Sequence, residues 1–333
     1  MTVTTLGKNG PTVPPLCLGT WAWGDTLFWN YGSNYGAAEV EAAFKAALEA
    51  GVSFFDTAEV YGNGLSEELL GKFMQQVARP GKFSDSDVAL AEGQKTEQPV
   101  QVATKYGPMP WRVFGQSVAD ALTASLKRLM VPKITLYQVH WPFTFFMTQE
   151  TLMNALADEV KQGRIEAVGV SNYSAQELRE VHGILAKRGV NLAVNQVRYS
   201  LLTRQIESKG ILDTAKELGV TILAYSPLAQ GLLTGKYSAG KSPSGARQFD
   251  SRFKESGLEK IAPVMSLLRQ IGEKYDKTPS QVALNWLVCR GGVIPIAGVK
   301  TAEQVKENVG AIGWEMNEEE FNSLEEITRP WLT

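Results

Sequence analysis

Short apolar runs alternate with longer amphipathic stretches along nearly the whole chain. Runs at 16–18, 52–55, 100–104, 134–139, 167–170, 192–195, 220–224 and 293–296 carry little internal polarity, the pattern of strands buried on both faces. Between them, apolar positions recur at helical spacing over 38–50, 65–77, 117–130, 151–162, 175–187 and 206–218, then over 258–275 and 279–289. A last helix begins near Thr301. Gly51, Gly163 and Gly219 stand where helices should end, and Ser66 stands where the second should be capped. Strands and helices taking turns predict a parallel sheet with right-handed crossovers. Eight strands suit a closed (β/α)8 TIM barrel, with a doubly wound open sheet as the rival. The polar residues favour the barrel: apolar runs end at Asp56, Lys105, His140, Ser171, Gln196 and Tyr225, as expected when a site is assembled at the C-terminal face.

No internal repeat or domain boundary is visible, so residues 1–333 read as one domain. The polar, aperiodic segment 79–99 reads as a surface insertion, and the aromatic, Gly-rich segment 25–37 as an ordered loop. An apolar share of 44% is ordinary for a globular protein with a large core, and the net charge of −2 points to no phosphate-rich partner. No Lys/Arg run suggests nucleic acid, and no apolar stretch is long enough to cross a bilayer. The first 15 residues lack the charged and apolar regions of a signal peptide. The 2 cysteines, Cys17 and Cys289, lie in apolar segments and read as buried thiols rather than a disulfide. A cytoplasmic protein is expected, or one of the plastid stroma after loss of a transit peptide. With no apolar stripe outside the barrel, a monomer is expected.

The chemistry concentrates at four side chains. Asp56 ends a strand, Tyr61 lies in the loop after it, and Lys105 and His140 end the next two strands. Each alone suits a bland role as a cap, a solvated strand end or a satisfied core group. Together they converge at one mouth of a barrel. A free tyrosine, with a pKa of about 10, is a poor proton donor near neutral pH; an adjacent ammonium is expected to lower it, and a carboxylate to hold that ammonium in place. His140 would hydrogen-bond an oxygen bound beside Tyr61. The set suits protonation of a carbonyl oxygen while something else attacks the carbon. No side chain is well placed as a nucleophile and no His/Cys cluster offers a metal site, so the missing reactant reads as a hydride from a cofactor.

Asp56-Thr57-Ala58-Glu59-Val60-Tyr61-Gly62, Ala103-Thr104-Lys105, Val139-His140-Trp141-Pro142 and Gly169-Val170-Ser171-Asn172-Tyr173 resemble, in order, signatures of the aldo-keto reductases. The resemblance extends from Gly19 to Asn308. It leans toward the plant-plastid and cyanobacterial branch, through residues 19–25 and 281–288. It implies a (β/α)8 barrel, NADPH as cofactor, a small carbonyl compound as substrate, and Asp56, Tyr61, Lys105 and His140 as a catalytic tetrad with Tyr61 the proton donor.

The same resemblance implies the cofactor contacts. Ser171, Asn172 and Gln196 match carboxamide contacts, and Tyr225 the aromatic stacked on the nicotinamide. Ser226, Pro227, Leu228, Gly231 and Lys236 match a stretch covering the pyrophosphate. Gly298, Val299, Lys300, Thr301, Gln304, Glu307 and Asn308 match the adenosine end, and Gly19, Thr20, Trp21 and Asp56 complete the set. Lys300 and Thr301, before a helix N-terminus, suit a 2′-phosphate and so NADPH over NADH. Trp23, Trp29, Tyr106, Trp111 and Trp141 are candidates to line an apolar pocket. One alternative is a regulatory module like the potassium-channel β subunits, which use bound nucleotide as a sensor. Another is a barrel lyase or isomerase working without nucleotide, against which Ser171, Asn172, Gln196 and Tyr225 argue.

Overall fold

A computed structural model of the chain describes residues 3–78, 99–237 and 250–333. The segment read as a surface insertion, 79–99, lies outside the described residues except for Pro99. A short antiparallel hairpin, β1 (Thr4–Thr5) and β2 (Thr12–Val13), comes first. The first half then runs β3 (Cys17–Gly19), α1 (Ala37–Glu49), β4 (Phe54–Asp56), α2 (Leu65–Ala78), β5 (Gln101–Tyr106), α3 (Gln116–Leu129), β6 (Ile134–Val139) and α4 (Gln149–Lys161). The second half runs β7 (Ile165–Ser171), α5 (Ala175–Lys187), β8 (Leu192–Arg198), α6 (Gln205–Ser208), α7 (Ile211–Leu218) and β9 (Thr221–Tyr225). It ends with α8 (Glu255–Tyr275), α9 (Pro279–Cys289), β10 (Val293–Gly298), α10 (Ala302–Val309) and α11 (Glu318–Ile327).

Strands β3 to β10 are all parallel, and β10 pairs with both β9 and β3, setting Gly298 beside Gly19. That closure decides for the barrel over the open sheet. Side chains alternate in and out along each strand. Phe54, Ala103, Leu136, Ala167, Val194, Leu223 and Ile294 fill the interior, and Leu6 and Val13 of the hairpin join the same cluster. Gly7 N–H bonds Thr221 Oγ1 at 2.9 Å and Gln101 Nε2 bonds Thr12 O at 2.7 Å, fastening the hairpin across the N-terminal ends of the strands. A larger apolar layer, including Phe44, Phe55, Tyr137, Leu156 and Trp286, lies between the strands and the surrounding helices.

Several local expectations needed correction. Ser66 does not cap α2; it lies within the first turn, buried, and its hydroxyl joins Thr20 O, Thr20 Oγ1 and Thr57 Oγ1. α4 starts earlier than Thr151, because Thr148 Oγ1 accepts from Thr151 N–H and caps it. The helix expected over 206–218 is two helices, interrupted where Gly210 takes the left-handed conformation (φ 69°). Both cysteines are free thiols; Cys17 is buried inside the barrel, but Cys289 is only partly buried. Among the described residues no helix is long and apolar enough to cross a membrane.

Candidate active site

The inward side chains of the barrel turn polar near the C-terminal ends of β4, β5, β6, β8 and β9. Two residues beyond the interior Phe54, Ala103, Leu136, Ala167, Val194 and Leu223, on the same face, come Asp56, Lys105, Gln138, Gly169, Gln196 and Tyr225. Polar groups therefore converge above an apolar floor. Lys105, fully buried, donates from Nζ to Asp56 Oδ1 at 2.6 Å and to Thr57 O at 2.8 Å, with Tyr61 Oη at 3.4 Å. The ammonium also lies 4.9 Å from the Tyr61 ring centre. Tyr61 opens a tight turn in which Gly62 and Asn63 both have φ 55°. A Cβ on Gly62 would fall 2.8 Å from Gly24 O, so glycine is required for the turn to pack against the 19–25 segment. His140 follows β6, its N–H held by Tyr106 O at 2.9 Å, and its ring stands edge-on to Tyr61 with centres 5.7 Å apart. The four residues are thus brought together as expected.

Burial would pull the Lys105 ammonium down, but Asp56 and Tyr61 hold it charged, above the ordinary lysine value. For Tyr61 the expected lowering is reversed. Burial raises its pKa, and the pull of Lys105 does not overcome that. Tyr61 is accordingly a fully protonated phenol at neutral pH, a donor whose proton is present rather than half lost. Burial, reinforced by Lys105, pushes His140 down to about 3, so its imidazole is neutral. Its buried Nδ1 has no hydrogen-bond partner among the described residues.

This shift sets a pH dependence. Because the folded value lies below the ordinary one of about 6.5, the unfolded chain binds the proton first on acidification. The stability concerned is complete above about pH 6.5 and is lost as pH falls toward the folded value of about 3. His140→Gln should therefore lose less of its urea-unfolding free energy across that window than the unchanged protein does. Parallel curves for the two proteins would refute the assignment.

Two parts of the site escaped the sequence reading. Gln138, buried within β6, donates from Nε2 to Asp56 Oδ2 at 3.1 Å, while Gln196 Nε2 reaches the same oxygen at 2.8 Å. Gln196 Nε2 also lies 3.2 Å from Gln138 Oε1. Asp56 is therefore held from both sides. The signal was available: an amide at an inward position, two residues after Leu136. The second is Glu59, whose carboxylate accepts from Arg112 Nη1 and Nη2 and, at 2.6 Å, from Gly107 N–H. This fork ties the loop after β5 to the segment carrying Tyr61. The pairing partners are 53 residues apart in sequence, with no periodicity to reveal them.

The expected cofactor residues fall into three groups at the same face. Ser171 Oγ donates to Gln196 O at 2.9 Å, Asn172 Nδ2 to Ser171 Oγ at 3.0 Å, and Tyr225 Oη to Asn172 Oδ1 at 3.0 Å, a continuous chain beside the tetrad. Ser226, Pro227, Leu228 and Gly231 follow β9 in a turn with left-handed backbone at Ser226 (φ 53°) and Gly231 (φ 99°), and Lys236 is exposed beyond it. At the barrel seam, Val299 N–H bonds Gly19 O at 3.3 Å, which sets Gly298, Val299 and Lys300 beside Gly19, Thr20 and Trp21. Thr20 is buried, its hydroxyl on Asp56 O at 3.0 Å, whereas Trp21 is exposed.

Thr301 caps α10. Gln304 Oε1 accepts from Lys300 N–H at 2.8 Å, Glu307 accepts from Thr278 Oγ1, and Asn308 is buried. The Lys300 ammonium lies 4.5 Å from the ring centres of both Trp29 and Tyr35, so the aromatic loop folds against it. Of the five candidate pocket aromatics, two are corrected. Trp23 and Tyr106 are fully buried core residues, Trp23 Nε1 donating to Val299 O at 2.9 Å. Trp111 is exposed, and Trp29 and Trp141 are partly buried.

Residues 15–329 match the family model described as the aldo/keto reductase family. A chloroplastic pyridoxal reductase of Arabidopsis thaliana is 40% identical over 96% of this chain and 84% of its own. An NADH-specific methylglyoxal reductase of Escherichia coli is 28% identical over 97% of both chains. Among solved structures, a glycerol dehydrogenase of Gluconobacter oxydans superposes with a TM-score of 0.82 at 27% identity, covering 99% of this chain and 95% of its own.

Proposed function

This chain belongs to the aldo/keto reductase family, oxidoreductases of small carbonyl compounds that use nicotinamide cofactors, and from that premise we propose that it reduces aldehydes or ketones to alcohols with NADPH and Tyr61 as the general acid. The observation that carries the reading is the buried ammonium of Lys105, 2.6 Å from Asp56 and 3.4 Å from the Tyr61 hydroxyl. The residues fit a dinucleotide: Tyr225 presents a partly exposed ring beside Asn172, and Lys236 stands exposed beyond the turn after β9. Ser171, Asn172, Gln196 and Tyr225 would hold the nicotinamide, Ser226 to Leu228 with Gly231 and Lys236 the phosphates, and Lys300 with its neighbours the adenosine end. When bound, the cofactor supplies the hydride.

The protein's own groups handle the oxygen. Tyr61 transfers its phenolic proton to the carbonyl oxygen, and the neutral His140 imidazole hydrogen-bonds the same oxygen and orients it. As the phenolate forms, the ammonium of Lys105 stabilises it, and Asp56 keeps that ammonium charged. Gln138 and Gln196 satisfy the second oxygen of Asp56, which prevents the carboxylate from turning away. The names of the relatives favour a small aldehyde of the pyridoxal or methylglyoxal kind. The regulatory alternative finds no support in the comparisons. A monomer remains our reading.

Because one relative is NADH-specific by name, cofactor choice is tested directly. Fluorescence titration of the purified protein should show tighter binding of NADPH than NADH, followed by NADPH oxidation with 4-nitrobenzaldehyde. Lys300→Ala should weaken NADPH more than NADH, by about tenfold or less for one charge at a helix N-terminus. Equal loss for both nucleotides would remove the basis for the preference.

A further inference from the structure

Arg198 ends β8 on the inward face, two residues beyond Gln196 and four beyond the interior Val194, and it pairs with Tyr225 across the sheet. Its guanidinium therefore belongs to the mouth of the barrel, next to the ring read as the nicotinamide platform. Guanidinium groups so placed are ordinarily matched by a carboxylate. This one is not. Its Nη2 is enclosed and has no hydrogen-bond partner among the described residues. The nearby acid, Asp250, is already committed to Arg252: its carboxylate accepts from Arg252 N–H at 3.0 Å, from Nε at 3.0 and 3.1 Å, and from Nη2 at 2.5 Å. Burial, then the repulsion of Arg252, hold Arg198 below the usual guanidinium value, and Tyr225 and Asp250 offset this only in part. Among the described residues the mouth thus carries a guanidinium whose Nη2 meets no acceptor and whose charge no ion pair offsets.

We propose that Arg198 is an anion anchor at the mouth of the barrel, its fork of N–H groups taking an oxyanion of a molecule bound against Tyr225. A planar guanidinium matches phosphate or carboxylate through two parallel hydrogen bonds. The oxyanion belongs either to a phosphate of the dinucleotide or to an acidic group on the carbonyl substrate. The occupant rests on the reductase reading; the excess charge does not.

The test compares the unchanged protein with Arg198→Met and Arg198→Lys. An anchor and a structural residue differ in the ligand-free protein. Removing an uncompensated guanidinium should leave the thermal midpoint of Arg198→Met equal to or above that of the unchanged protein, and the stabilisation given by inorganic pyrophosphate should disappear. Binding of NADPH, followed by fluorescence, should weaken on the order of ten- to a hundredfold if the dinucleotide is the source, the range for a hydrogen bond to a charged group. If the substrate is the source, NADPH binding stays unchanged and the KM for 4-carboxybenzaldehyde rises by that factor while the KM for 4-nitrobenzaldehyde does not. Arg198→Lys should recover part of either effect. Unchanged nucleotide binding together with an unchanged ratio of the two KM values would overturn the proposal. Failure of the reductase reading would look different: the unchanged protein itself would neither bind NADPH nor turn over.

Discussion

Replacing Tyr61 by Phe should lower carbonyl reduction by about 10²–10⁴-fold, the range general acid catalysis contributes, while leaving the nucleotide affinity in place. The substitution is nearly isosteric. The ring keeps its edge-on contact with His140 and its neighbour Trp21, 6.2 Å away between centres, and only the hydroxyl facing Lys105 is lost. An equal drop in kcat and kcat/KM, with NADPH titration unchanged, would identify the phenol as the proton donor. Activity retained within a fewfold of the original would remove Tyr61 from the mechanism and leave His140 as the remaining group at the oxygen. The protonated state of Tyr61 sharpens the expectation. Because burial outweighs the pull of Lys105, no loss of the donor by ionisation is expected below the ordinary phenol value of about 10.

Replacing Lys105 by Met should destabilise the protein by about 3–5 kcal/mol, because it removes one partner of a buried pair and strands the other. Asp56 would keep only the amide donors of Gln138 and Gln196, and Thr57 O would lose its bond. Urea unfolding at pH 7 would measure the loss. The double variant Asp56→Asn with Lys105→Met should recover part of it, since no unpaired charge is left behind. A single variant as stable as the original would mean that the pair contributes nothing and that Asp56 is satisfied by its amides alone. Linkage adds a sign. The folded Lys105 value lies above the unfolded one, so its contribution is complete below about pH 10 and is lost as pH rises from there through the folded value.

How far the site could be read depended on where each partner lies in the chain. Asp56, Lys105 and His140 were legible because each interrupts or ends an apolar run, and a polar residue at a strand end has few structural uses in a parallel barrel. Gln138 was missed because a single amide inside an apolar run looks like noise until the inward parity of β6 is known. The Ser66 cap failed for a related reason. Its position suited a helix start, but its hydroxyl is spent bridging Thr20 and Thr57, the residues after β3 and β4, and Thr20 lies 46 residues away in the chain. Trp23 and Tyr106 looked like pocket aromatics because composition cannot distinguish a ring in a loop from one folded back into the core.

The chain's own order of apolar runs and helical stretches determined the architecture: eight strands, the crossovers between them, and the end of the barrel where polar groups collect. That information is local, carried by short unbroken apolar runs in the strands and a 3.6-residue period in the helices. The tertiary structure alone decided the ionisation of the site and its second circle of partners. Whether Tyr61 sits above or below its ordinary pKa depends on how burial balances against an ammonium 3.4 Å away. Whether Arg198 is matched depends on Asp250 having turned to Arg252. Such balances are sums over groups distant in sequence and adjacent in space, and only the closed barrel brings them within range of one another.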